Sequence, residues 1–158
     1  MIEDRRSDIT GLGISLAADP AGVAEPFQGK PMSSTYFSLH FRLIFSTKDR
    51  KPTLDAKWRG RLHEFLAGTV KGHDSVPEAV GGVDDHVHVL VSLRPTHCLS
   101  DFMRELKKAG SVWVHDVIGN QSFEWQVGYA AFTVSPTARD DVMRYISNQE
   151  LHHRKKPF

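Results

Sequence analysis

Two histidines one residue apart, His86 and His88, lie in the run Asp85-His86-Val87-His88-Val89-Leu90-Val91. In a β-strand, residues i and i+2 point to the same side. Both imidazoles therefore leave one face, while Val87, Val89, Val91 and Leu93 leave the other. The valine face calls for burial. The opposite face then presents two ring nitrogens about one pleat repeat apart, placed to grip a single metal ion. The same parity puts Phe37, Leu39, Phe41, Leu43 and Phe45 under a covering layer, with His40 and Arg42 beside the histidines. A guanidinium next to a metal suits a phosphate-bearing substrate. A lone His-x-His pair also occurs as ordinary polar residues on a half-exposed strand, and one bulge would undo the parity.

A second group is Tyr145-Ile146-Ser147-Asn148-Gln149. On a helix Tyr145 and Gln149, at i and i+4, stand one above the other, while Val142 and Ile146 anchor the neighbouring face. A single helical tyrosine also packs at the edge of a core, so this group gains meaning only together with the histidines.

The elements that must position these residues follow from periodicity. Alternation from Tyr36 to Ser46 gives a first strand, ended by the charged turn Lys48-Asp49-Arg50-Lys51-Pro52. Leu54, Trp58, Leu62, Phe65 and Leu66 fall at helical spacing, giving a helix to about Val70 with Gly72 as its stop. Strands follow near Glu78–Val83 and His86–Leu93, with Asp84-Asp85 at the turn. Ser100 reads as the N-cap of a second helix whose stripe is Phe102/Met103, Leu106, Ala109/Gly110, Trp113 and Val117. Gln126–Val134 reads as a fourth strand, and Ser135-Pro136-Thr137 opens a third helix running past Gln149. The order β-α-β-β-α-β is the ferredoxin-like plan: an α+β fold with an antiparallel sheet, here followed by a C-terminal helix carrying the tyrosine. Helices on one face leave the other face available.

Residues 1–33 are rich in Gly, Ala, Pro and Asp and lack a sustained period, which reads as a disordered N-terminal extension, with Met32 a candidate start. Residues 34–158 read as one domain. The one cysteine, Cys98, excludes an internal disulfide and a cysteine-held structural zinc. No apolar run approaches the ~20 residues of a membrane helix, and no secretory signal stands at the N-terminus. The expected location is the cytoplasm, nucleoid-associated when bound to DNA. The net charge is +1, with the excess of bases confined to the chain after residue 31. That mild balance is compatible with nucleic acid without implying it.

The two groups and their ordered surroundings resemble the histidine-hydrophobic-histidine (HUH) single-tyrosine transposases of small insertion sequences, the insertion-sequence-200/605-like family. The resemblance spans essentially Ser34 to Phe158. It rests on Phe45-Ser46-Thr47-Lys48, Gly82-Val83-Asp84-Asp85-His86-Val87-His88, Leu106-Lys107-Lys108, Trp125-Gln126-Val127-Gly128-Tyr129 with Phe132-Thr133-Val134-Ser135, and Tyr145-Ile146-Ser147-Asn148-Gln149-Glu150 with His152-His153-Arg154-Lys155. It implies that Tyr145 is a catalytic nucleophile and that His86, His88 and Gln149 hold a divalent metal, Mg²⁺ or Mn²⁺. It implies cleavage and rejoining of single-stranded DNA through a 5′-phosphotyrosine, recognition of hairpin-forming element ends, and a homodimer. Many relatives carry a histidine where this chain has Arg42, and a Ser-Ser pair where it has Gly110-Ser111.

Arg42, Arg104, Lys107 and Lys108, with Arg154 and Lys155 in the tail, are the candidate DNA contacts. Two other readings stand beside transposition: a domesticated relative that processes chromosomal repeat hairpins, and a non-catalytic ferredoxin-like nucleic-acid-binding module. The second calls for stacking aromatics on the open sheet face. A hydrolase using water at the metal would have no need of Tyr145.

Overall fold

The computed structural model describes residues 36–149; the expectations for residues 1–33, for His152 and His153 and for Arg154 and Lys155 lie outside them. The chain runs β1 (His40–Ser46), α1 (Ala56–Gly72), β2 (Val76–Gly82), β3 (His86–Ser92), α2 (Leu99–Trp113), β4 (Ala130–Val134) and α3 (Arg139–Ser147). The four strands form one antiparallel sheet in the order β2-β3-β1-β4. This is the expected ferredoxin-like arrangement, with α3 added.

One face of the sheet carries the main core. Leu43 and Phe45 of β1 and Val87, Val89 and Val91 of β3 pack under Leu62, Leu66 and Val70 of α1 and Phe102, Met103 and Leu106 of α2. The helix residues recur three or four apart, which makes one apolar stripe per helix. Asp55 starts α1 by accepting a hydrogen bond from the Lys57 backbone N–H at 2.8 Å. The N-cap of α2 is Cys98 rather than Ser100. Beyond Trp113 the helix widens into a π-helical turn, Val114–Ile118, closed by Gly119 at φ 80°. The wider turn shifts the stripe, so Val114 is buried and Val117, the expected stripe residue, is half exposed.

The far face of the sheet is partly covered by α3. Ile146, with Val142 and Met143, packs on Leu90, Val134 and Ala79. Gly81 of β2 permits this seat: a Cβ there would stand 2.5 Å from the Ile146 carbonyl oxygen. A bulge between Pro77 and Ala79 sets Glu78 out of register. Its buried carboxylate receives His40 Nδ1 at 2.6 Å and pairs with Arg139 Nε at 2.5 Å, at the first residue of α3. β2 thus holds α3 near both ends.

Boundaries differ from the sequence reading at two places that matter for the site. β4 begins at Ala130 because Gly128, at φ 87°, breaks the extended path from Trp125. Trp125 itself bridges to Thr47 and packs edge-on against Phe45 and Phe123, with ring centroids 4.8 Å away in each case. α3 starts after the turn Ser135–Ala138 and ends at Ser147, with Asn148 as its C-cap at φ −102° and ψ 12°. Gln149 is helical again after this one-residue break.

Candidate active site

The register confirms the parity argument. Ser46 pairs with His86, Ile44 with His88, and Arg42 with both Leu90 and Phe132. Residues opposite each other across antiparallel strands share a face, so Arg42, His86 and His88 stand together on the far face. The two imidazoles lie with centroids 4.9 Å apart and are largely buried.

The turn before β3 is tied down before the histidines begin. Thr47 donates to the Asp85 carbonyl through its N–H at 2.9 Å and its hydroxyl at 3.1 Å, and the Leu54 N–H donates to the Asp84 carbonyl at 2.9 Å. Asp49 and Arg50 adopt left-handed conformations, φ 55° and 52°. That turn brings Arg50 Nε to 3.0 Å from the Asp85 carboxylate. The other Asp85 oxygen lies 2.5 Å from His86 Nδ1. Burial works to raise the Asp85 pKa, but the hydrogen bonds from His86 and Arg50 and the charge of Arg50 outweigh it and hold the carboxyl below its usual value. A carboxylate only accepts, so Nδ1 of His86 carries the proton and Nε2 is the lone-pair nitrogen.

His88 is held differently. Arg42 Nε and Nη2 both lie 3.3 Å from His88 Nδ1. A guanidinium only donates, so here Nδ1 is the acceptor. The same guanidinium lies 4.9 Å from the centroid of the Tyr145 ring, in cation–π range. Tyr145 is partly exposed and its ring centroid is 6.0 Å from that of His88. Histidine pair, arginine and tyrosine thus meet within one chain. His86, His88 and Tyr145 line a cavity of about 450 Å³ with Ser46, Arg50 and the segment Gln126–Ala130.

A family comparison decides what kind of protein places these groups together. The family described as "Transposase IS200 like" matches residues 35–149. The chain belongs to the IS200-like transposase family. It is 23% identical over 137 residues to the ISDra2 transposase TnpA of Deinococcus radiodurans, covering 78% of this chain and 93% of that one. A crystal structure from Deinococcus radiodurans R1, of a protein assigned as a transposase, superposes with a TM-score of 0.62 at 25% identity, over 77% of this chain and 98% of that one. The fold also matches a REP-associated tyrosine transposase bound to a REP hairpin, with a TM-score of 0.57 at 15% identity, covering 79% and 74% of the two chains.

The remaining expected residues of this transposase divide. Gln149 is 1% exposed, and neither end of its amide has a hydrogen-bond partner among the described residues. Arg104 is exposed and pairs with Asp101 at 2.7 Å and Glu105 at 3.2 Å on its own helix. Lys108 is exposed beside a second cavity, and the Lys107 ammonium turns to backbone carbonyls. Sequence reasoning missed Arg50 and Asp85, because the contact that joins Arg50 to Asp85, and through it to His86, spans 35 positions. It also missed Phe132, a half-exposed aromatic on the far face opposite Arg42. Strand parity counted back from Val134 would have found it. Among the described residues no three His, Cys, Asp or Glu side chains form a metal cluster, and no helix is long and apolar enough to cross a membrane.

Proposed function

We propose that this transposase cuts and rejoins single-stranded DNA with Tyr145 as the nucleophile. The observation that carries the reading is the approach of Tyr145 to His88 and Arg42, beside a cavity that Tyr145, His86 and His88 line together. A tyrosine merely packed in a core has no need of a cationic partner and two imidazoles.

The phenol oxygen attacks phosphorus and the bond from phosphorus to the 3′-oxygen breaks. The products are a 5′-phosphotyrosyl link and a 3′-hydroxyl, which takes up a proton as the phenol loses one. Bond energy is conserved in the adduct, so attack by another 3′-hydroxyl rejoins DNA without ATP. The phenol has a pKa near 10, so only about a thousandth is ionised at pH 7. Arg42, moving from the imidazole to a phosphate oxygen, and Arg50 at the cavity wall supply positive charge where negative charge develops.

The residues fit a divalent cation, Mg²⁺ or Mn²⁺. His86 has its lone-pair nitrogen fixed by Asp85, as metal-bound histidines commonly do. The buried Gln149 amide, without a hydrogen-bond partner among the described residues, is costly unless something uses its oxygen. His86, His88 and Gln149 would hold the ion, which would polarise the scissile phosphate. Hairpin-forming ends are the proposed substrate, by likeness to the REP-associated relative, and two copies of the chain the proposed working unit. Phe132 alone does not make the far face a stacking platform, which disfavours the purely binding reading.

The test is cleavage of a single-stranded oligonucleotide from the gene's flanks. Chelation should abolish it, Mn²⁺ should restore it, and His86→Ala should lose it on the order of a hundredfold or more. Cleavage at full rate in chelator would sink the metal assignment.

A further inference from the structure

Lys107 was expected to meet phosphate, yet its Nζ donates to the carbonyl oxygens of Gln126 at 2.6 Å and Gly128 at 2.8 Å. Those carbonyls belong to a loop that is one wall of the Tyr145 cavity. On its other side the same residues, Gln126 and Val127, wall a cavity of about 440 Å³ lined by Lys48, Lys108 and His115. The loop is a partition, and it lacks an apolar anchor: Val127 is 94% exposed and Tyr129 40% exposed. Gly128 takes a left-handed conformation that favours glycine. Gln126 is tied on its β1 side by its N–H to the Ser46 carbonyl at 2.8 Å, and its side-chain oxygen accepts from the Asp49 N–H at 2.9 Å. From Val127 onward the tie that the structure provides from α2 is Lys107.

We propose that Lys107 is a positioning residue for DNA cleavage: its ammonium clamps the Gln126–Gly128 loop so that the loop forms a fixed wall facing Tyr145. The inference rests on the tyrosine reading for its consequence, but not for its geometry. Burial pushes the Lys107 pKa down, consistent with an ammonium turned inward. A lysine meeting phosphate would instead present its charge to solvent. The adjacent Lys108, exposed, is the better placed of the two for that role.

Lys107→Met and Lys107→Arg in the full chain test this with three readouts. In Lys107→Met, amide exchange in the peptide spanning residues 126–129 should speed up on the order of tenfold, with α1 and α2 unchanged. The kcat for oligonucleotide cleavage should fall on the order of tenfold or more, with KM nearly unmoved. The slope of DNA affinity against salt should match the wild type. Lys107→Arg, which keeps two donors for two carbonyls, should restore loop protection and most of kcat. A salt slope shallower by about 1, with loop exchange unchanged, would overturn the proposal and make Lys107 a phosphate contact. If the wild-type chain forms no covalent adduct, the tyrosine reading fails separately, and loop exchange still decides whether Lys107 is the clamp.

Discussion

The histidine pair depends on a residue whose value is invisible in its type. Asp85 could be any turn aspartate, but its carboxylate links Arg50 to His86 Nδ1 and so selects which nitrogen of His86 offers a lone pair. Asp85→Asn keeps the shape and removes the charge. Mn²⁺ affinity measured by calorimetry should fall about tenfold to a hundredfold. A depressed carboxyl contributes stability above its ordinary pKa, and that contribution is lost as pH falls through the lower folded value. The stability difference between wild type and Asp85→Asn should therefore shrink below pH 3.8, Asp85's ordinary value. A difference that stays constant through the acid range would mean that the carboxylate is not held by its partners. The His-x-His facing was legible because strand parity is a local rule. The tie to Asp85 and Arg50 was not, because it depends on two left-handed residues closing a turn 35 positions away.

At the level of elements, the element order, α1 and the valine face of β3 were readable from periodicity. What periodicity could not show is that the far face is only half open. Leu90 and Val134 interrupt its polar pattern, and α3 settles there over Gly81. Nothing in the local sequence marks Gly81 as special, since its φ is unremarkable and only the approach of the Ile146 carbonyl excludes a side chain. Gly81→Ala should push α3 off its seat at a cost of about 1–3 kcal/mol. Tyr145 is the neighbour of Ile146, so cleavage should drop on the order of a hundredfold. The chain should still unfold cooperatively, because α1 and α2 pack on the other face. Thermal unfolding and a cleavage time course check the pair of outcomes; wild-type cleavage in Gly81→Ala would show that the tyrosine does not work from this seat. The shortened β4 and the break in the third helix have a common origin: Gly128 and Asn148 leave the regular conformation where hydrophobic pattern alone would continue it.

For the molecule as a whole, the family match begins at residue 35, one residue before the alternation that starts at Tyr36. The proposed domain, residues 34–158, should therefore bind and cut DNA without residues 1–33, with cleavage within about twofold of the full chain, a change of under 0.5 kcal/mol in the barrier. A truncated chain that folds but does not cut would give the N-terminal segment a part in catalysis. Within the described residues one chain lines a single cavity with His86, His88 and Tyr145 and sets Arg42 against the Tyr145 ring, and the proposed covalent step rests on that meeting. The most direct measurement is to trap the reaction with a single-stranded oligonucleotide and Mn²⁺, digest the protein, and locate the nucleotide by tandem mass spectrometry. A 5′-phosphodeoxynucleotide on Tyr145, absent from Tyr145→Phe, is the expected result. Cut DNA with an unmodified Tyr145, or cutting by Tyr145→Phe at the wild-type rate, would contradict it.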